Sequence, residues 1–392
     1  MTNNILVLQS GGCTPVLNRS LFGVAQEASL HASLGDVLGA VHGLEGVLAD
    51  DLVDLGRVSA AAWKRVAGAP AAALGSTRRK LKSEDVTPVL EMLARHDIRF
   101  LFIIGGNDSA ETGHAIGREA QAAGYALSVV NVPKTIDNDL MVTDHSPGYG
   151  SAARFIALAT MGAGADADAM GAAAPITIIE VMGRDAGWLA AAAALGRRED
   201  RDPPHVICVP EVDVHEYRFL DLMEAAYRRF GAAVAVVAEN AKGPNGVLGG
   251  QEEPWLVDDF GHAYYDGPAR YLAGLLSKRL GVRVRHEKPG TIQRSFVEGL
   301  SRTDVREAEM AGRAAVRYAL EGRSDCMVTL VRQPGEKYEC TTDTAPFELV
   351  AGKVWRMPES YLDPANYQVT QAFTDYARPL IGAPLPHFGR LR

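Results

Sequence analysis

Long apolar runs are missing from this chain. No stretch approaches the ~18 uninterrupted apolar residues of a membrane helix, and the longest candidate, Leu189 to Leu195, is short and alanine-rich. A membrane span is therefore excluded. Cysteine is scarce: Cys13, Cys208, Cys326 and Cys340 form no CxxC pair. That excludes a disulfide-stapled framework and predicts a reduced, cytoplasmic protein. The opening MTNNILVLQS lacks the basic start and apolar core of a signal peptide. A basic excess is absent too, with 40 Lys+Arg against 48 Asp+Glu and a net charge of -8. Non-specific nucleic-acid binding needs a basic face, so no nucleic-acid partner is expected. Any anionic ligand must be held by local cations and backbone groups. Two familiar phosphate signatures are also missing, since no glycine-rich turn carries GK[ST] or the GxGxxG spacing.

What is present is apolar residue at 47%, charged residue at 22% and a surplus of glycine, 40 in 392 residues. The usual share of glycine is about 7%. A chain of this length and composition folds into two or three domains with sizeable cores. Short runs rich in Val, Ile and Leu end in turns: Ile5 to Leu8, Leu101 to Ile104, Ala126 to Val132, Ile176 to Met182, Val206 to Val209 and Val234 to Ala238. Such runs suit parallel strands buried on both faces. Helical patterns lie between them, at Val16 to His31, Ser109 to Ala123, Ser151 to Met161, Asp185 to Leu195 and Tyr217 to Phe230. The alternation predicts an α/β, doubly wound architecture with mostly parallel sheets, and ligands bind beyond the carboxyl ends of such strands. Lys242 to Glu253 reads as a mobile loop. The proline-bearing stretch after Tyr338 reads as an irregular layer wrapped over the core.

Five constellations sit at the strand ends. Ser10-Gly11-Gly12-Cys13-Thr14 offers backbone N–H groups to an anion ahead of a helix. Gly105-Gly106-Asn107-Asp108-Ser109 repeats the arrangement, with Ser109 as a helix N-cap and Asp108 placed to hold a divalent cation beside a phosphate. Pro133-Lys134-Thr135-Ile136-Asp137-Asn138-Asp139 gathers two carboxylates, a lysine and a hydroxyl. Phosphoryl transfer needs a base for the acceptor hydroxyl and cations for the moving group, and this segment supplies both. Met182-Gly183-Arg184-Asp185 adds an arginine suited to bidentate phosphate contact. Arg283, Arg285, Lys288 and Arg294 form a basic cluster that contrasts with the acidic whole, and alternation puts Arg283 and Arg285 on one strand face. Each has a bland alternative: a tight turn, a helix-dipole partner, a surface ion pair or a solvated strand edge.

Together these motifs resemble the phosphofructokinase family, with its ATP-dependent and pyrophosphate-dependent members. The match runs in order through GG…N, the GSTR of Gly75 to Arg78, GGNDS, PKTIDND, PGYGSAARF, VMGR, Pro210-Glu211, Glu239-Asn240 and TIQR. The ending Tyr376-Ala-Arg-Pro-Leu-Ile-Gly resembles the pyrophosphate branch. The resemblance implies that Asp137 is the general base toward a sugar 1-hydroxyl, with Asp139 orienting the site and Mg2+. It implies that Thr135 touches the transferred group and that Arg184 contacts sugar and transition state. Met182 and Gly183 line the sugar site, Glu239 grips sugar hydroxyls, and Arg285 and Arg294 hold the 6-phosphate, one of them across a subunit interface. Gly11, Gly12, Arg78, Gly106, Asp108 and Ser109 match the donor site, with Asp108 as metal ligand.

ATP-type members have glycine at the positions of Asp108 and Lys134. A carboxylate there repels a third phosphate, and a lysine adds a cation for pyrophosphate. The expected reaction is therefore reversible phosphoryl transfer from pyrophosphate to fructose 6-phosphate. The alternatives are an ATP donor, sedoheptulose 7-phosphate as acceptor, and a catalytically silent regulatory subunit. Asn107 stands where the family usually has aspartate. Thr291 stands where many ATP-type members have histidine, and Pro175 where they have an arginine that reaches a neighbour's sugar phosphate. Two lobes are expected, a donor lobe of residues 1–146 plus about 293–345 and a sugar lobe of 147–292 plus about 346–392, in a homodimer or homotetramer.

Overall fold

The computed structural model describes residues 3–249, 256–257, 263–264 and 267–391. Two sheets organise the chain. The larger has seven strands in the spatial order Cys340–Pro346, Cys326–Arg332, Ser128–Pro133, Ile98–Gly105, Asn4–Gln9, Val37–Ala40 and Leu52–Asp54. Its inner pairs are parallel, and the strand at each edge runs antiparallel to its neighbour. The smaller is all-parallel, in the order Val284–Glu287, Ile176–Val181, Ala233–Ala238 and Val206–Cys208. The central strands carry unbroken apolar runs because helices cover both faces, and Ile176–Val181 and Ala233–Ala238 are buried at every position.

The chain order reverses at Asn4–Gln9. It is followed in sequence by Val37–Ala40 on one side, and Ile98–Gly105 lies on the other. A crevice opens at such a switch point beyond the carboxyl ends. Ser10–Gly12 and Gly106–Ser109 both stand there.

Several expected boundaries move. The helix expected from Ser151 to Met161 runs from Tyr149 to Met170, because Gly162 and Gly164 are tolerated within its alanine-rich sequence and the helix ends only at Gly171, at φ +49°. The helix expected from Asp185 shrinks to Trp188–Ala192 with a 3₁₀ turn to Gly196, since Glu211 takes the Gly187 N–H and holds residues 184–187 as a turn. Ser109 is not an N-cap. The helix Asn107–Ala122 starts behind Gly106, and Ser109 is buried in its first turn, where Gly105 leaves it room. Lys242–Val247 is a two-stranded turn rather than an open loop, and residues 250–253 lie outside the described residues. The stretch after Tyr338 is more regular than expected. Cys340–Pro346 pairs along its full length with Cys326–Arg332, and Gln371–Ala377 is helical. No helix among the described residues is long and apolar enough to cross a membrane.

Candidate active site

One cavity of about 510 Å³ collects residues from both halves of the fold. Its lining includes Gly11, Gly12, Arg78, Gly106, Asp108, Ser109, Lys134, Thr135, Asp137, Asp139, Met182, Arg184, Glu239 and Arg294. Fourteen of the sixteen expected site residues thus meet in one place. Gly183 and Arg285 do not line it. Gly183 acts through the backbone, at φ +118° and with no room for a Cβ beside the Ala186 carbonyl. Arg285 pairs with Asp166 of the helix Tyr149–Met170. In the same basic cluster, Lys288 pairs with buried Glu180 at 2.5 Å, and Arg283 is exposed. The cavity also takes in Ser10, Cys13, Ile136 and Asp185 from the expected segments, Asn107 and Thr291, and, outside every expected constellation, Arg79, Thr112, Gly352 and Val354. Nothing local in the sequence marks Gly352 and Val354, which arrive from the far end of the chain.

The first glycine turn is built against GSTR. Gly11 N–H donates to the Thr77 carbonyl at 2.9 Å, and Ser76 Oγ donates to the Gly11 carbonyl at 2.6 Å. Gly11 has φ +79°, and a Cβ on Gly12 would strike the Arg294 guanidinium at 2.8 Å. Lys134 Nζ donates to the Gly12 carbonyl at 2.6 Å and so holds a cation beside this turn. Across the crevice, the helix Asn107–Ala122 has no side-chain cap from Gly106, and Asn107 Oδ1 accepts the Asp108 N–H at 2.9 Å. With the Asp108 N–H taken, the remaining first-turn N–H groups suit an anion, and the dipole favours the Asp108 carboxylate at that end.

The TIDND segment owes its shape to Asn138, which sits fully buried in the left-handed region at φ +56°. Asparagine tolerates that conformation better than most side chains. Asn138 Oδ1 accepts the Ser146 N–H at 2.9 Å, and Nδ2 donates to Tyr376 Oη at 2.8 Å. The turn puts Asp137 and Asp139, its neighbours on either side, both at the cavity wall. Thr135 Oγ1 accepts the Asp137 N–H at 3.1 Å.

The electrostatics follow from crowding carboxylates in a buried place. Burial, then the nearby Glu239, raises the Asp137 carboxyl above the ordinary aspartate range. Burial and Asp137 raise Asp139 in the same direction. Burial raises Glu239 as well. Burial lowers the Lys134 ammonium to about 8. One oxygen of Asp137, Oδ1, is buried without a hydrogen-bond partner in the chain. A reactive carboxylate oxygen left open in this way is available to a ligand. The surrounding donors, from Asp108, Ser109, Asp137 and Asp139, are hard oxygens of the type Mg2+ takes.

Five carboxylates, a lysine, four arginines and two glycine turns facing one cavity suit the transfer of a phosphoryl group to a hydroxyl. The family model for phosphofructokinase matches residues 4–318. The chain is 37% identical, over 99% of its length and 96% of the relative's, to a pyrophosphate–fructose 6-phosphate 1-phosphotransferase of Rhodospirillum rubrum. It is 38% identical to one of Xanthomonas campestris, over 98% of this chain and 93% of that protein. The crystal structure of a pyrophosphate-dependent phosphofructokinase from Nitrosospira multiformis superposes with a TM-score of 0.90 at 32% identity, covering 100% of this chain and 95% of that one.

Proposed function

The chain belongs to the phosphofructokinase family, and we propose that it moves a phosphoryl group between pyrophosphate and the 1-hydroxyl of fructose 6-phosphate, giving fructose 1,6-bisphosphate and phosphate. The observation that carries the donor assignment is the presence of Asp108 and Lys134 in one cavity beside the two glycine turns. Lys134 supplies a cation to a donor with only two phosphates. Asp108 sets a negative charge where a third would extend, which disfavours a nucleoside triphosphate.

In this reading Asp137 accepts the proton of the C1 hydroxyl as that oxygen bonds to the incoming phosphorus. The bridging P–O bond breaks, and phosphate leaves. In reverse, protonated Asp137 returns the proton to the C1 oxygen. Its raised pKa suits both directions, because a base works best near the operating pH. Lys134 and Arg184 meet the charge on the transferred group, and Thr135 touches it. Asp139 keeps the loop oriented. Met182, Gly183 and Glu239 shape and grip the sugar, and Arg294 binds its 6-phosphate, joined by Arg285 from a second copy of the chain. Gly11, Gly12, Arg78, Gly106 and Ser109 cradle the donor. Asp108 would hold Mg2+ together with donor oxygens, and the ion would neutralise charge on the phosphates. The four cysteines are free thiols, which supports a reducing, cytoplasmic setting.

The test is a panel of purified protein with pyrophosphate or ATP against fructose 6-phosphate or sedoheptulose 7-phosphate. Pyrophosphate with fructose 6-phosphate is expected to give the highest kcat/KM. Equal or better turnover with ATP overturns the donor assignment, and a preference for the seven-carbon sugar overturns the acceptor.

A further inference from the structure

The polypeptide from Phe347 to Met357 crosses from one lobe to the other. Phe347 and Val350 are buried with the core on one face of the larger sheet, whereas Met357 is buried with the core that packs on the smaller sheet. Between them the strap is pinned at three points. The Lys353 carbonyl accepts from Asn107 Nδ2 at 3.2 Å. The Trp355 N–H donates to the Asp139 carbonyl at 2.7 Å. The Met357 N–H donates to Glu211 Oε1 at 3.0 Å. The Trp355 ring also packs on fully buried Trp188, with centroids 4.6 Å apart.

The strap thus runs from the donor turn to the backbone of the base-bearing loop. Gly352 and Val354 line the cavity with Asn107, Asp108 and Thr112. The bond from Asn107, the neighbour of Asp108, to Lys353 joins the first turn of the helix Asn107–Ala122 to this strap, and both contribute to the cavity lining. Pyrophosphate ends at its second phosphorus. A nucleoside triphosphate carries a further phosphate, a ribose and a base, and needs room beyond it.

We propose that residues 352–354 are a donor-specificity wall, in which Val354 and the strap backbone fill the space a nucleoside would need. The wall excludes by volume and so adds to the charge of Asp108, which excludes by repulsion. Its anchoring at both ends gives it the rigidity that steric discrimination requires.

The proposal rests on the pyrophosphate reading, and wild-type activity on each donor tests that reading on its own. The test of the wall uses V354G, which opens it, and V354F, which thickens it, each made in the wild type and in D108G. The donors are pyrophosphate, tripolyphosphate and ATP. In V354G the ratio of kcat/KM for ATP to that for pyrophosphate is expected to rise about tenfold, the scale of a few methyl groups in a shaped site. The rise should be larger for ATP than for tripolyphosphate, and larger in D108G, where repulsion no longer masks it. V354F should move the ratio the other way in D108G, which guards against a V354G that only loosens the fold. Donor ratios unchanged within twofold in both backgrounds overturn the wall. So does a wild type that uses ATP as well as pyrophosphate.

Discussion

Asp137 is a carboxylate with one oxygen buried and unpartnered in a site crowded by Glu239 and Asp139. Removing its basicity while keeping its shape should cost the transition state far more than the bound sugar. D137N is expected to lower kcat by at least about a hundredfold, the usual range for a positioned general base, with KM for fructose 6-phosphate nearly unchanged. Steady-state kinetics checks this, and wild-type turnover in D137N removes the role. The pH profile follows from the same crowding. The base must be ionised for the forward reaction, and its pKa is raised by burial and then by Glu239. The acid limb of kcat/KM should therefore lie above the ordinary aspartate range, with activity lost as pH falls through it. Lys134 acts on the other side: burial lowers it to about 8, so activity should fall as pH rises through that value and the ammonium loses its proton. E239Q removes one of the charges that raise Asp137 and should shift the acid limb to lower pH. An unmoved limb would mean that Glu239 does not tune the base.

The loop that presents Asp137 is locked behind by a buried charged element. His145 is 2% exposed and lies between Asp144 Oδ2 at 2.8 Å and Glu307 Oε2 at 2.7 Å. Tyr338 Oη donates to Glu307 Oε1 at 2.9 Å, and Arg332 pairs with Asp144. Burial alone would lower the histidine, but the hydrogen bonds to the two carboxylates override it and raise it from 6.5 to about 9. A raised folded-state pKa stabilises fully below the unfolded value, and the contribution is lost as pH rises through the folded one. Thermal midpoints should therefore decline between about pH 6.5 and 9, and H145Q should flatten that decline; an equal slope in H145Q removes the assignment. Elements of this kind were legible in unequal measure. The central strands were readable because they are mostly apolar runs ended by turns, and the turns named the site, whereas Val37–Ala40, Leu52–Asp54, Cys326–Arg332 and Cys340–Pro346, nearer the sheet edges, carry no such signal. Ile176–Val181 and Val206–Cys208 lie within a residue or so of where the sequence put them. The strap was not readable, because its bond to Asn107 joins residues 246 positions apart. The His145 network was hidden for the same reason, since Glu307 is 162 positions away. The short helix at Trp188 was misjudged because Glu211, a distant side chain, decides where it begins.

At the scale of the whole molecule, the two arginines proposed to hold the 6-phosphate separate. Arg294 lines the chain's own cavity, whereas Arg285 lies outside it, paired with Asp166. A cavity already rich in carboxylates must bind two anionic ligands, so a second copy that supplies Arg285 would complete its charge. In a two-fold dimer the exchange would be mutual, each chain lending Arg285 to the other's sugar-phosphate site. That arrangement has a consequence that no single variant shows. D137N and R285A should each be nearly inactive. Denatured together and refolded, they should form hybrid dimers in which one site carries both lesions and the other carries neither. Random pairing makes half of the dimers hybrids with one intact site of two, so activity should recover to about a quarter of wild type. The mixture is assayed against each variant refolded alone, with sedimentation confirming equal assembly. If Arg285 instead serves the cavity of its own chain, every hybrid site carries one lesion. The mixture then shows only the mean of the two residual rates, and the shared-site arrangement is wrong.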